Sequence, residues 1–197
     1  MTALVSYKFQ ITGKPDIEFR KAIREAGDCF GKSEAAMNAA ELQLKTLVGG
    51  TVRSDICKLQ AALGRSIQNG ELEEVELKLS HTFAPGVYIR TAYVKAGSTV
   101  IGKIHKHRHG NILSQGKATV MTESGGRQHI EGFISMVSEA GTKRAVYAHT
   151  DLIWTTIHLT ASTDLEVIEK ELIASSYEEY ENFLIESNTM KKIEVTL

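Results

Sequence analysis

The sequence predicts a mainly β domain, a barrel or sandwich, with helices before and after it. From Leu77 the period drops to two residues, with Leu77, Leu79, Tyr88, Arg90, Ala92, Val94, Val100 and Ile104 in short runs. Turn signals such as Ala84-Pro-Gly, Lys95-Ala-Gly and Glu123-Ser-Gly-Gly then punctuate the chain through Leu159, the spacing of short antiparallel strands. On either side the apolar period returns to three and four residues.

In chain order, Leu4 to Ile11 alternates as a strand stopped by Gly13-Lys-Pro, and is expected to join an edge of the β region. Asp16 to Ala26 reads as a helix with Phe19, Ala22, Ile23 and Ala26 on one face and Gly27 beyond its end. Ser33 caps a second helix through Val48, stopped by Gly49-Gly50, with Met37, Ala40, Leu44 and Leu47 as its stripe. A third opens at Ser54 or Asp55, carries Ile56, Leu59, Leu63 and Ile67, and closes at Asn69-Gly70. These stripes read as faces buried in a helical cap. Glu123-Ser-Gly-Gly turns a hairpin between Ala118–Thr122 and Gln128–Phe133. Thr163-Asp-Leu-Glu166 fits a capping box, opening one amphipathic helix through Leu165, Ile168, Leu172, Ile173, Tyr177, Tyr180 and Leu184. The acidic run Glu178-Glu179-Tyr-Glu181 reads as its solvated face. The expected division is residues 1–75, 76–160 and 161–197.

Composition bounds the function. The 197 residues can bury a substantial core, and 42% hydrophobic with 24% charged residues is an ordinary globular balance. A formal charge of −1 gives no general attraction to nucleic acid or anionic membrane. No apolar run approaches bilayer length and no signal-peptide pattern opens the chain, so a cytoplasmic location is expected. Cys29 and Cys57 do not read as a disulfide framework. No nucleophile elbow, P-loop or dinucleotide fingerprint is present, so no catalytic residue is assigned and enzymatic activity stays open.

Chemistry concentrates between Gly97 and Gly116. His105, His107 and His109 fall within five residues, interleaved with Lys106 and Arg108 and preceded by Lys103. Two short strands joined through such a turn aim imidazoles into one cavity, and an open metal site needs about three of them. His107 points opposite to His105 if the strand continues. His81, His129 and His158 carry no motif and read as hydrogen-bonded structural histidines.

The stretch Gly102-Lys-Ile-His-Lys, with His109 and Gly116 after it, resembles the first motif of the cupin superfamily, and Glu139 to Asp151 stands where its second motif falls. His81-Thr-Phe-Ala-Pro-Gly, Asn111-Ile-Leu-Ser, Gly141-Thr-Lys-Arg and Ile153-Trp-Thr-Thr-Ile-His are similar to small cupin-like proteins encoded by tailed bacteriophages. The resemblance spans about residues 80–185. It implies a cupin-like, jelly-roll type β-barrel, a homo-oligomer, and, for a phage protein, the host cytoplasm. Carried over by position, the family's metal ligands fall on Lys103, His105, His109 and Arg144. His149 supplies a third imidazole if its strand bends; on plain alternation from Arg144 it faces the other way.

Two functions follow from that comparison. One is a divalent metal site (Zn, Mn, Fe or Ni) on His105, His109 and His149. The other is a non-catalytic pocket for an anionic small molecule or nucleotide, or a docking site for a host protein, with Lys103 and Arg144 as ligand-binding cations. Inward cations are costly unless compensated, whether by Glu131, by Asp151 or by an anionic ligand. They also repel a metal and lower the pKa of neighbouring imidazoles.

Overall fold

Inward-facing apolar residues on alternate strand positions demand a second layer to cover them, and the chain supplies it from its own strands. The computed structural model describes residues 7–10, 52–74 and 76–196. The first strand, β1 (Tyr7–Gln10), lies within the expected Leu4–Ile11 run, and the helices expected over 16–26 and 33–48 fall outside the described residues. Helix α1 (Val52–Gln68) follows, then β2 (Glu73–Glu74), β3 (Lys78–Ala84), β4 (Val87–Val94), β5 (Ser98–Ile101), β6 (Ile104–His105), β7 (His109–Gln115), β8 (Lys117–Thr122), β9 (Gly126–Glu131), β10 (Ile134–Ser138), β11 (Arg144–Ala148) and β12 (Leu152–Leu159). Helix α2 (Leu165–Leu172), β13 (Ile173–Ala174) and α3 (Tyr177–Thr196) close the described chain.

Two antiparallel sheets result. One runs β2-β1-β5-β11-β8-β9 and the other β10-β7-β12-β4-β3, so the chain crosses repeatedly from sheet to sheet. This is the mainly β, jelly-roll type arrangement the sequence implied. The apolar core lies between the sheets, with Val94, Leu113, Leu152 and Trp154 from one meeting Ala118, Val120, Val146 and Ala148 from the other. On the inner face of the second sheet the register sets three rows, Leu152↔Val94, Trp154↔Ala92 with Leu113, and Thr156↔Arg90 with Asn111. The rows turn polar toward one end.

Helix α1 packs Ile56 and Leu63 against Ile101 and Ala145 of the first sheet. It starts with Asp55 in its first turn and ends where Gly70, at φ +73°, turns back to give its N–H to the Ile67 carbonyl at 2.9 Å.

The C-terminal region departs from the single helix expected. Asp164, not Thr163, is the cap of α2, its Oδ1 accepting the N–H of Glu166 at 2.8 Å and of Val167 at 3.3 Å. The helix stops at Ile173, a β-branched residue in extended conformation (φ −118°, ψ 136°), because β13 pairs antiparallel with β6. A new helix starts beyond Ser176, whose Oγ accepts the Glu179 N–H at 3.1 Å. Glu179 is therefore not merely solvated: it accepts from Ser175 and pairs with Lys106 at 2.9 Å. Hydrogen bonds from Ser175, reinforced by Lys106, hold its carboxyl down at about 2.

Leu113 has no exposed surface, so Leu113→Ala should cost about 2–5 kcal/mol in urea unfolding. Asp164→Ala should cost about 1 kcal/mol and Thr163→Ala no more than a few tenths, which would confirm where the cap sits.

Candidate metal and anion site

At the polar end of the inter-sheet space three imidazoles converge. His109 opens β7 and is 6% exposed, His158 lies near the end of β12 at 4%, and His105 is carried by β6. Ring centroids are 4.0 Å apart for His105–His109, 4.6 Å for His109–His158 and 5.1 Å for His105–His158. One nitrogen from each lies within 4.8 Å of the other two.

Local structure fixes each ring. The two-residue strand β6 is tied to β13 through Ile173↔His105, and the Gly141 N–H donates to the His105 carbonyl at 2.8 Å. Gly141 sits at φ +77°, and a Cβ there would lie 2.6 Å from the Tyr180 ring, so only glycine fits. The His109 Nδ1 is 3.2 Å from the His107 carbonyl. A carbonyl only accepts, so Nδ1 carries the proton and the Nε2 lone pair is free to ligate. His158 stacks on Tyr88, whose hydroxyl meets His81 Nδ1 at 2.8 Å. The His105 Nδ1 is buried and makes no hydrogen bond within the chain.

Burial dominates the electrostatics. It lowers His109 to about 4, against the pull of the His107 carbonyl, with Arg144 adding to the lowering. It lowers His158 to about 3, helped by His109 and Arg90, and pushes His105 well below its ordinary value, helped by both other imidazoles and Arg144. All three rings are neutral at pH 7, the form that ligates a metal.

The adjoining cavity, about 90 Å³, is lined at its polar end by Arg90, Lys103, His105, His109, Asn111 and Arg144. Gly102 gives its N–H to the Arg144 carbonyl at 2.8 Å, and a Cβ there would sit 3.1 Å from Arg144 Cγ. The Arg144 guanidinium donates to Asn111 Oδ1 at 3.1 Å and to Ser138 Oγ, and lies 5.4 Å from the Trp154 ring centroid. Burial lowers it to about 10, still cationic at neutral pH.

Among the positions singled out in the sequence, His105, His109, Lys103 and Arg144 all border this cavity. His149 does not. Alternation from Arg144 persists through β11, so Val146 and Ala148 join the core while His149 lies on the opposite side, its Nε2 2.7 Å from Thr119 Oγ1. Thr119 Oγ1 also meets His129 Nδ1 at 2.9 Å. Lys103 is compensated by Glu169 of α2 rather than by the acids nearer in sequence. Glu131 pairs with Lys117 and Asp151 with Lys95, both at 2.7 Å. His107 is exposed and packs edge-on against Phe183. Sequence reasoning read His158 as a structural histidine and placed Arg90 only in a strand run, whereas the structure brings His158 to the other two imidazoles and Arg90 to the cavity wall. Alternation back from His158 through Thr156 and Trp154 to Leu152 was the available signal.

The imidazole shifts have a definite sign. The unfolded chain takes up protons on these residues near pH 6.5, whereas the folded chain does not until about 4 for His109 and about 3 for His158. Stability is therefore complete above pH 6.5 and falls as pH drops toward 4, by about 1.4 kcal/mol per pH unit for each group. Urea midpoints between pH 7 and 4.5 should show this fall, and His158→Asn should make it shallower.

No protein-family model matches the chain, and no curated protein matches it. Among solved structures it is similar to ectoine synthase from P. lautus, at 14% identity and TM-score 0.42, over 50% of this chain and 74% of that one. A cupin superfamily protein from Desulfitobacterium hafniense aligns at 13% identity and TM-score 0.38, over 44% of this chain and 80% of that one. An uncharacterized protein with a double-stranded β-helix domain from Klebsiella pneumoniae aligns at 12% identity and TM-score 0.39, over 45% and 81% of the two chains.

Proposed function

We propose that this protein binds a divalent metal ion through His105, His109 and His158. The observation that carries the reading is the convergence within 4.8 Å of three imidazole nitrogens, two on buried rings and one on a half-buried ring, each from a different strand. The donor set fits the group: the rings are neutral, His109 is held in one tautomer, and the buried His105 Nδ1 has no partner of its own. Imidazoles suit Zn, Mn, Fe or Ni without choosing among them. A three-histidine site leaves a coordination position open, where a bound metal polarises a carbonyl or activates water. The chain's own residues shape the approach, with Arg144 and Lys103 beside the imidazoles and an apolar wall behind them.

A second reading rests on Arg144. A buried guanidinium whose hydrogen bonds go to Asn111 and Ser138 repels a divalent cation and attracts an anion, so the pocket also suits an anionic ligand without catalysis. The resemblance to phage-encoded cupins supports a homo-oligomer acting in the host cytoplasm.

Metal analysis of chain purified without chelators should find about one equivalent per protomer, and zinc should raise the melting temperature of the stripped chain. His105→Ala, His109→Ala and His158→Ala should each abolish both effects, and His149→Ala should leave them intact. Absence of metal binding by the unaltered chain, or its persistence in the triple variant, overturns the reading.

A further inference from the structure

Arg144 in the cavity wall has no carboxylate partner among the described residues. Lys103 pairs with Glu169, and the same carboxylate acts on Arg90, together with Tyr88. Arg144 differs: among the described residues no carboxylate pairs with it. Its hydrogen bonds go to neutral groups, Asn111 Oδ1 and Ser138 Oγ, and its face lies over Trp154. A guanidinium carries five N–H donors, so these two bonds leave donors for a further acceptor. A buried cation without a counter-charge costs the folded state several kcal/mol, and the usual resolution is an anion bound beside it.

The rest of the wall states what that anion is attached to. Away from Arg144 the cavity is lined by Leu77, Ala92, Val94, Val100, Val146 and Leu152, none of which carries a polar side-chain atom. Its volume of about 90 Å³, at ~10–15 Å³ for each water, holds roughly six to nine non-hydrogen atoms. Arg144 is the cation of this wall with no carboxylate beside it among the described residues, whereas Glu169 pairs with Lys103 and also acts on Arg90. The planar guanidinium fork matches the two oxygens of a carboxylate bidentately. We infer that the cavity binds a short-chain aliphatic monocarboxylate, its carboxylate on the Arg144 guanidinium and its alkyl chain against Val100, Val146 and Leu152. The carboxylate then lies beside His105 and His109, both of which feel the Arg144 charge. This deepens the anion reading above, on which it rests, and does not require the metal.

The test is calorimetric titration of the full metal-free chain with acetate, butanoate, octanoate and butanamide. Affinity should rise about fourfold per methylene from acetate to butanoate, and fall for octanoate, which exceeds the space. Butanamide, the same size without charge, should bind about tenfold to a hundredfold more weakly, as should butanoate to Arg144→Gln. Arg144→Lys, which keeps the charge but loses the fork, should fall between. Ala92→Leu should shift preference from butanoate to acetate, and melting curves confirm that each variant folds. Equal binding of butanamide and butanoate, Arg144→Gln within twofold of the unaltered chain, or no binding of butanoate by roughly 10 mM overturns the proposal. Zinc titration without carboxylate reports separately on the metal reading, so the two fail independently.

Discussion

The register of β12 between β4 and β7 is the constraint from which the site follows. Leu152, Trp154, Thr156 and His158 point inward because β12 pairs Thr156 with Arg90 on one side and with Asn111 on the other. A one-residue slip would turn all four outward and present Ile153, Thr155 and Ile157 to the core instead. The slip is resisted by the dry end of the row, where Leu152 and Trp154 pack against Val94, Leu113 and the facing sheet. Apolar packing at one end thereby aims His158, Arg90 and Asn111 at the other.

Polar groups in that wet end hold one another in place. Asn111 Oδ1 accepts from Trp154 Nε1 and from Arg144, both at 3.1 Å, and its amide donates to Ser138 Oγ at 2.9 Å. Each bond satisfies a buried group that would otherwise lose its hydration uncompensated. The network draws on β7, β10, β11 and β12, so it joins the two sheets by directional contacts where the apolar core does not reach.

The architecture was legible because strand alternation and turn residues are local signals. Alternation alone located the inward residues of β4, and it also marked His149 as facing away from Arg144. Helix α1 was legible from Ile56, Leu59, Leu63 and Ile67. The break between α2 and α3 was not, since the 3.6-residue period continues across Ile173 and the extended backbone there is imposed by a partner strand about seventy residues earlier. The same limit applied to the site. His105 and His109 stand close in sequence and could be grouped, whereas His158 comes from a distant strand and joins them only through pairing. Glu169 was hidden for the same reason, as the partner of Lys103 lies on a helix whose docking no local pattern announces.

The tie between β6 and β13 has a consequence for how the site is assembled. Two imidazoles belong to strands of a hydrogen-bonded five-stranded sheet, but His105 rides on two residues held by Ile173 and Ala174 and by the turn at Gly141. Closing that contact spans most of the barrel sequence, and such long-range closures come late because their loop entropy is lost before the contact repays it. On a ribosome, residues 173 and 174 also emerge after every strand of the two sheets. The sheets can therefore form while the imidazole set is still incomplete, and the C-terminal segment acts as the latch that finishes it.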